Sequence, residues 1–247
     1  MPSGPRYLRR RAAAAACGIL TLGACARHQE RELTAWLKLD VVRPVTGTSG
    51  VIVLGPNKEV FRARVGNEWV ELGSGHPSRY MILAGEQAAL VDFGDGKGVR
   101  IVRSGERAPR PLQEVFGRTS NPVVPPGRTA VDFEECRLSA KPAGCRDLQI
   151  DRFDVAGKAL ETFSIPLPET YPECQILGVR GYDQAGTPYV NAQCAMSSQV
   201  AKCLLLAPRK EGLFVHAVGK DRSWSECSDF RGLGVSLRAP ERFEVVF

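Results

Sequence analysis

From residue 51 onward the chain alternates short apolar runs with turn residues, and no stretch after residue 45 keeps a 3.6-residue period over three turns. The runs 51–54, 60–65, 69–72, 80–83, 88–93 and 99–102 read as strands. After a Pro-rich segment, 107–128, expected to be a long loop, come 130–134, 148–154, 160–165, 176–182, 188–193, 204–207 and 213–218. Segments 235–238 and 243–247 are the last expected strands. Ahead of residue 51, only 35–42 is patterned, and Thr46-Gly47-Thr48-Ser49-Gly50 is a flexible stretch.

Composition agrees with this picture. At 43% hydrophobic and 24% charged the chain is an ordinary globular one, and 25 Gly with 17 Pro suit frequent turns. Strands recurring with turn signals predict an all-β class built from short antiparallel strands. Phe153-Asp154-Val155-Ala156-Gly157-Lys158-Ala159-Leu160 resembles the Asp-x-x-Gly-Lys hairpin common in bacterial propeller blades, and Tyr182-Asp183-Gln184-Ala185-Gly186 is a weaker echo of it. The expected architecture is therefore β-propeller-like or an incomplete propeller, with a β-sandwich as the alternative. About 200 residues would hold four or five blades at the propeller repeat length.

The formal charge of +6 first suggests an acidic partner, but Arg6, Arg9, Arg10 and Arg11 supply four of the 33 basic residues with no acid among residues 1–24. From Cys25 onward 29 basic residues face 27 acidic ones, and aromatic residues are thinly interleaved, which argues against nucleic acid. A local excess remains between Lys97 and Arg128, where seven basic residues accompany two acidic ones. It is read either as a solvated face or as a contact for an anionic glycan, a lipid headgroup or an acidic envelope protein.

The arginines precede an uncharged run, 12–24, of signal-peptide length and too short to span a bilayer. Leu22-Gly23-Ala24-Cys25 closes it and resembles the lipobox of bacterial lipoproteins. That resemblance implies cleavage before Cys25, diacylglyceryl attachment to its sulfur and acylation of its new amino group. With Ala26 rather than Asp in second place, it further implies lipid anchoring in the outer membrane. Residues 1–24 then form a signal peptide, 25–50 a lipidated tether and 51–247 the all-β domain. Ala24-Cys25-Ala26 also offers an ordinary cleavage site, which would release a soluble periplasmic or secreted form. The Arg triplet lacks the Ser or Thr of a twin-arginine signal, since Leu8 stands in that place.

Cys17 leaves with the leader, so beyond Cys25 six cysteines remain: Cys136, Cys145, Cys174, Cys194, Cys203 and Cys227. An even number in an exported chain implies three disulfides. Eight residues separate Cys136 from Cys145 and Cys194 from Cys203, as across two strand-flanked loops. The spacing predicts Cys136–Cys145 and Cys194–Cys203, leaving Cys174–Cys227. These two loops lie 58 residues apart, each before a run-turn-run unit, which suggests an imperfect internal repeat.

Other chemistry is sparse. No Cys-x-x-Cys occurs, no cysteine neighbours a histidine at ligand spacing, and no metal or cofactor is expected. Asp92-Phe93-Gly94 matches a kinase triad by letters alone, and Asp92 with Asp95 provides too few oxygens for calcium. Gly94-Asp95-Gly96-Lys97-Gly98 lacks the spacing of a phosphate loop, and no Gly-x-Ser-x-Gly elbow occurs. His28, His76 and His216 are scattered, and Trp69, Tyr171 and Trp224 are read first as core residues and second as sugar or peptide contacts. The expected role is binding or scaffolding at the envelope without catalytic residues. The alternative is a hydrolase pairing His76 or His216 with a nucleophile across strand-end loops.

Overall fold

The computed structural model describes residues 41–44, 50–54, 59–140, 144–195, 200–217, 222–223 and 237–241. Strands β1 (Val41–Pro44), β2 (Gly50–Leu54), β3 (Glu59–Val65) and β4 (Glu68–Ser74) form one antiparallel sheet in chain order. Strands β5 (Arg79–Leu83), β6 (Ala88–Asp92), β7 (Arg100–Arg103) and β8 (Arg110–Pro111) form a second.

The third sheet contains β9 (Pro122–Val123), β10 (Ala130–Ala140), β11 (Gly144–Asp154), β12 (Ala159–Pro166), β13 (Cys174–Tyr182), β14 (Pro188–Ala195), β15 (Val200–Arg209), β16 (Gly212–Ala217) and β17 (Arg222–Ser223). It is two antiparallel meanders, β9–β12 and β13–β16, joined where Cys145 of β11 pairs with Ile176 of β13. The class is all-β, as the strand pattern predicts. Among the described residues the strands close neither a barrel nor a propeller ring.

The strand periodicity decides how these units stack. In β5 and β6, Tyr80, Ile82, Ala89 and Val91 point one way, onto Phe61, Ala63, Val65, Val70 and Leu72 of β3 and β4. Met81, Leu83, Ala88 and Leu90 point the other way, onto Val131 and Phe133 of β10 and Phe153 of β11. Both faces of this sheet are thus buried, which is why β6 reads as a continuous apolar run. Phe116, Phe133 and Phe153 meet at the second interface with ring centroids 5.1 to 5.8 Å apart. On the far side of β11 and β12, Leu148, Ile150, Phe163 and Ile165 pack on Ile176, Val190, Ala192, Leu204 and Leu206 of β13, β14 and β15.

The two Asp-x-x-Gly segments are the same turn. Asp154 Oδ1 accepts the Ala156 and Lys158 N–H groups at 2.9 Å, and Asp183 Oδ1 accepts those of Ala185 and Thr187 at 2.9 Å. Gly157 and Gly186 adopt φ of 91° and 82°, a region that a side chain would strain. One turn joins β11 to β12 and the other joins β13 to β14.

Two expectations need correction. The segment 107–128 is not an unbroken loop. It holds β8, a single-turn helix α1 (Leu112–Phe116) and β9. Leu112 and Phe116 of that helix are buried in the second interface, so apolar anchoring orders a segment that its prolines mark as irregular.

The second correction is the cysteine pairing. Cys136–Cys145 forms as expected, but Cys174 and Cys194 bond each other, which overturns both the expected Cys194–Cys203 and the expected Cys174–Cys227 pairs. The register gives the reason. Cys174 stands directly opposite Cys194 on the β13–β14 ladder. Cys203 stands opposite Gln193 and Lys202 opposite Cys194, so Cys194 and Cys203 project to opposite faces. Cys203 is itself disulfide-bonded. Cys227, Cys25 and the expected strand 243–247 lie outside the described residues, as do residues 235 and 236 of the strand expected over 235–238. Within that last segment, Arg238 forms an isolated bridge with Tyr182.

Candidate functional site

Strand β10 carries Asp132 and Glu134 on the face that looks toward β13. An alternating strand normally sends such residues to solvent. Here the meander β13–β16 covers that face, and Asp132 is 0% exposed. Its carboxylate is met in full. Arg152 grips it bidentately, Nε to Oδ1 and Nη2 to Oδ2, both at 2.8 Å, and the Tyr182 hydroxyl donates to Oδ2 at 3.0 Å. Arg152 also donates to the Gly186 carbonyl at 2.9 Å and lies over the Phe163 ring, 4.9 Å from its centroid.

Burial opposes the Arg152 charge, but the hydrogen bond and attraction of Asp132 outweigh it and hold the guanidinium protonated. Burial, reinforced by the Asp132 carboxylate, pushes the Tyr182 hydroxyl far above its ordinary range, so it stays a donor. With its partners saturated, this cluster locks β10, β11 and β13 together.

On the opposite face, Asp151 accepts from Gln149 at 2.7 Å and Thr162 at 2.8 Å, and Arg118 closes the group. Burial pulls its pKa upward, yet the bonds from Thr162, Gln149 and Arg118 hold it below the ordinary aspartate range.

Glu134 differs from both. Two positions beyond Asp132, it lines a cavity of about 520 Å³ where β5, β9, β10 and β13 converge with residues Pro240 and Glu241. A bulge in β13 shapes the place. Ile176 pairs with Ala192 and Gly178 with Asn191, leaving Leu177 without a partner across the ladder. Leu177 is left 47% exposed at the cavity wall. The Val179 N–H donates to Glu134 Oε1 at 2.6 Å. At Gly178, φ is 127°, and a Cβ would fall 3.0 Å from Glu134 Oε2, so this position suits glycine on both counts.

Burial raises the Glu134 pKa above the ordinary glutamate range, more than the Val179 bond lowers it, and nearby Asp132 adds to the rise. A second cavity, about 710 Å³, opens between β12 and the β15–β16 hairpin, with Glu161, Ser164, Arg209 and Lys210 among its lining residues.

The residues singled out from sequence fare variously. Of the seven basic residues between Lys97 and Arg128, six have acidic partners. Lys97 and Arg100 meet Asp95, at 3.8 and 3.1 Å, Arg103 meets Glu106, Arg110 meets Glu114, Arg118 meets Asp151, and Arg128 meets Glu241. The excess is spent on internal pairs, and only Arg107 lacks a partner among the described residues. Asp92 and Asp95 cap their own turn through the Gly94 and Lys97 N–H groups. No group of three or more potential metal ligands occurs among the described residues.

His76 lies 3.8 Å from Glu59, and His216 stacks on Phe214 on β16; among the described residues neither is hydrogen-bonded to a serine, threonine or cysteine. Lys202 Nζ lies 5.2 Å from the Tyr171 ring centroid, Tyr171 packs on the core between the two meanders, and Trp69 sits half-buried on β4 opposite Arg64. Trp224 and His28 lie outside the described residues. Sequence reading missed Glu134. Its only signal was an acidic residue alternating with Val131 and Phe133, which reads equally well as a solvent face.

No family model matches the chain, and no curated protein matches it in sequence. Among solved structures it is similar to hydrazine synthase from Kuenenia stuttgartiensis, with a TM-score of 0.35 and 15% identity over 72% of this chain and 53% of that one. The chain thus spans about half the length of that protein.

Proposed function

We propose that the chain is an envelope lipoprotein, anchored through Cys25 in the outer membrane, whose disulfide-braced all-β domain serves binding or scaffolding. The observation that carries this reading is the pair of cross-strand disulfides, Cys136–Cys145 and Cys174–Cys194. Such bonds persist in oxidising compartments and agree with the export leader and lipobox-like segment ahead of the domain. Two or three acyl chains on Cys25 would hold the domain firmly at a membrane surface and raise its local concentration near envelope partners.

The stacked sheets support a binding role because they hold a shaped cavity on rigid strands. The basic segment 97–128 gives little support to glycan or headgroup contact, since its charges are internally paired. Mass spectrometry of the mature N-terminus tests the anchor. The expected result is an acylated Cys25; an unacylated chain beginning at Arg27 would overturn it.

A further inference from the structure

Among the described residues, the cavity beside β13 holds one carboxyl group without a cationic partner. Of its three ionic side chains, Arg79 lies 3.9 Å from Asp92 and Glu241 lies 3.1 Å from Arg128. Glu134 has the Val179 N–H on Oε1, and no cation of the described residues comes within ion-pair distance. A carboxylate partly withdrawn from water is costly unless it is paired or protonated, and a cation in the open cavity beside Glu134 would favour its charged form. Much of the remaining wall is apolar: Leu177, Val179, Val123, Pro122 and Pro240.

The lining of the cavity narrows the cation. A hard metal ion requires about six oxygens, which this wall does not supply. A guanidinium prefers to grip both carboxylate oxygens, and Oε1 is already committed to the Val179 N–H. A primary ammonium is a compact charge that needs only Oε2, and an aliphatic stem behind it would lie on the apolar wall.

We propose that this cavity binds a primary alkylammonium group, as found on a lysine side chain or a free aliphatic amine, with Glu134 as its charge partner and Leu177 and Pro122 against its methylenes. The proposal rests on reading the domain as a binding module and is independent of the lipid anchor.

Calorimetric titration of the full chain with n-hexylammonium tests it, with n-hexanol and n-hexanoate as controls. The expected result is binding of the ammonium and neither control. Glu134→Gln keeps the side chain's volume and an acceptor for Val179, and should weaken binding by about tenfold or more. Leu177→Asn, at an exposed position, should weaken it by a smaller factor. Competition by acetyl-Ala-Lys-Ala-amide would support the proposal with protein lysine as the source. Binding of the small amine without competition by the peptide would support it with a free amine as the source.

Equal affinity for hexanol and hexylammonium, or unchanged binding by the Glu134→Gln chain, would overturn the proposal. So would absence of amine binding in a chain that still co-purifies with a crosslinked envelope partner, an outcome that leaves the binding-module reading standing.

Discussion

The β5–β8 sheet and the β9–β12 meander are both interior layers, covered on two faces, yet they solve burial differently. In the first, both faces are apolar: Met81, Leu83, Ala88 and Leu90 on one side, Tyr80, Ile82, Ala89 and Val91 on the other. In the second, Val131, Phe133 and Phe153 make an apolar patch on one face, beside the buried group of Asp151, Gln149 and Arg118. The other mixes Leu148 and Ile150 with Asp132, Glu134 and Arg152. The difference shows where specificity is placed. Apolar attraction is non-directional, whereas the Asp132–Arg152–Tyr182 hydrogen bonds set directions between β10, β11 and β13. Glu134, two positions further along the same strand, is the member of that polar face left without a cation among the described residues.

The sharpest way to break the comparison is to strand Arg152. Asp132→Ala leaves a half-buried guanidinium with only the Gly186 carbonyl and Glu161, 4.0 Å away, and should cost about 3 kcal/mol in denaturant unfolding. The double change Asp132→Leu with Arg152→Met should restore part of that loss, because a buried pair and a packed apolar replacement are close in stability while the buried Tyr182 hydroxyl still loses its acceptor. If the double variant is as unstable as the single one, the cluster is not acting as a compensated ion pair. In the all-apolar layer, Leu90→Ala should cost about 2–5 kcal/mol, with no second-site change able to restore it except refilled volume.

A smaller effect separates the two aspartate turns. Asp154→Ala and Asp183→Ala should each cost on the order of 1 kcal/mol, and the costs should add because the turns share no partner.

The smallest effects are in the pH profiles. Glu134 titrates above the ordinary glutamate range, so its contribution to stability is present at low pH and is lost as pH rises through its folded pKa. Glu134→Gln should remove that decline. Asp151, held below its ordinary range, contributes stability above the unfolded aspartate pKa that is lost as pH falls through the folded one. Asp151→Asn should flatten that acid limb. Thermal melts across pH check both signs.

Much of the strand order was legible because turn chemistry is local. The strands from 60 to 102 and from 160 to 193 follow the apolar runs closely, and the Asp154 turn was readable from its own letters, whereas β10 runs on to Ala140 and β11 starts at Gly144, through residues expected in a loop. The short helix Leu112–Phe116 was not, since two anchoring side chains in a Pro-rich segment give no periodic signal. The cysteine pairing failed for a related reason. Loop spacing brought Cys194 and Cys203 onto adjacent strands, but a shift of one position in register puts them on opposite faces, and register is set by the whole ladder. Glu134 was invisible as a site because it depends on the Leu177 bulge, on β5 from another sheet and on Glu241 from near the end of the chain.

The sequence by itself determined the all-β class, most strand positions, the Asp-x-x-Gly turns and the Cys136–Cys145 bond, because each depends on neighbours within a few residues or one hairpin. Only the tertiary structure decided which faces are buried, that Cys174 meets Cys194, that the basic excess of 97–128 is spent on pairs within the domain, and that one carboxylate of β10 is compensated while the next opens into a cavity. Those outcomes depend on which sheet covers which, and a strand's own alternation between polar and apolar residues does not say what will lie against it.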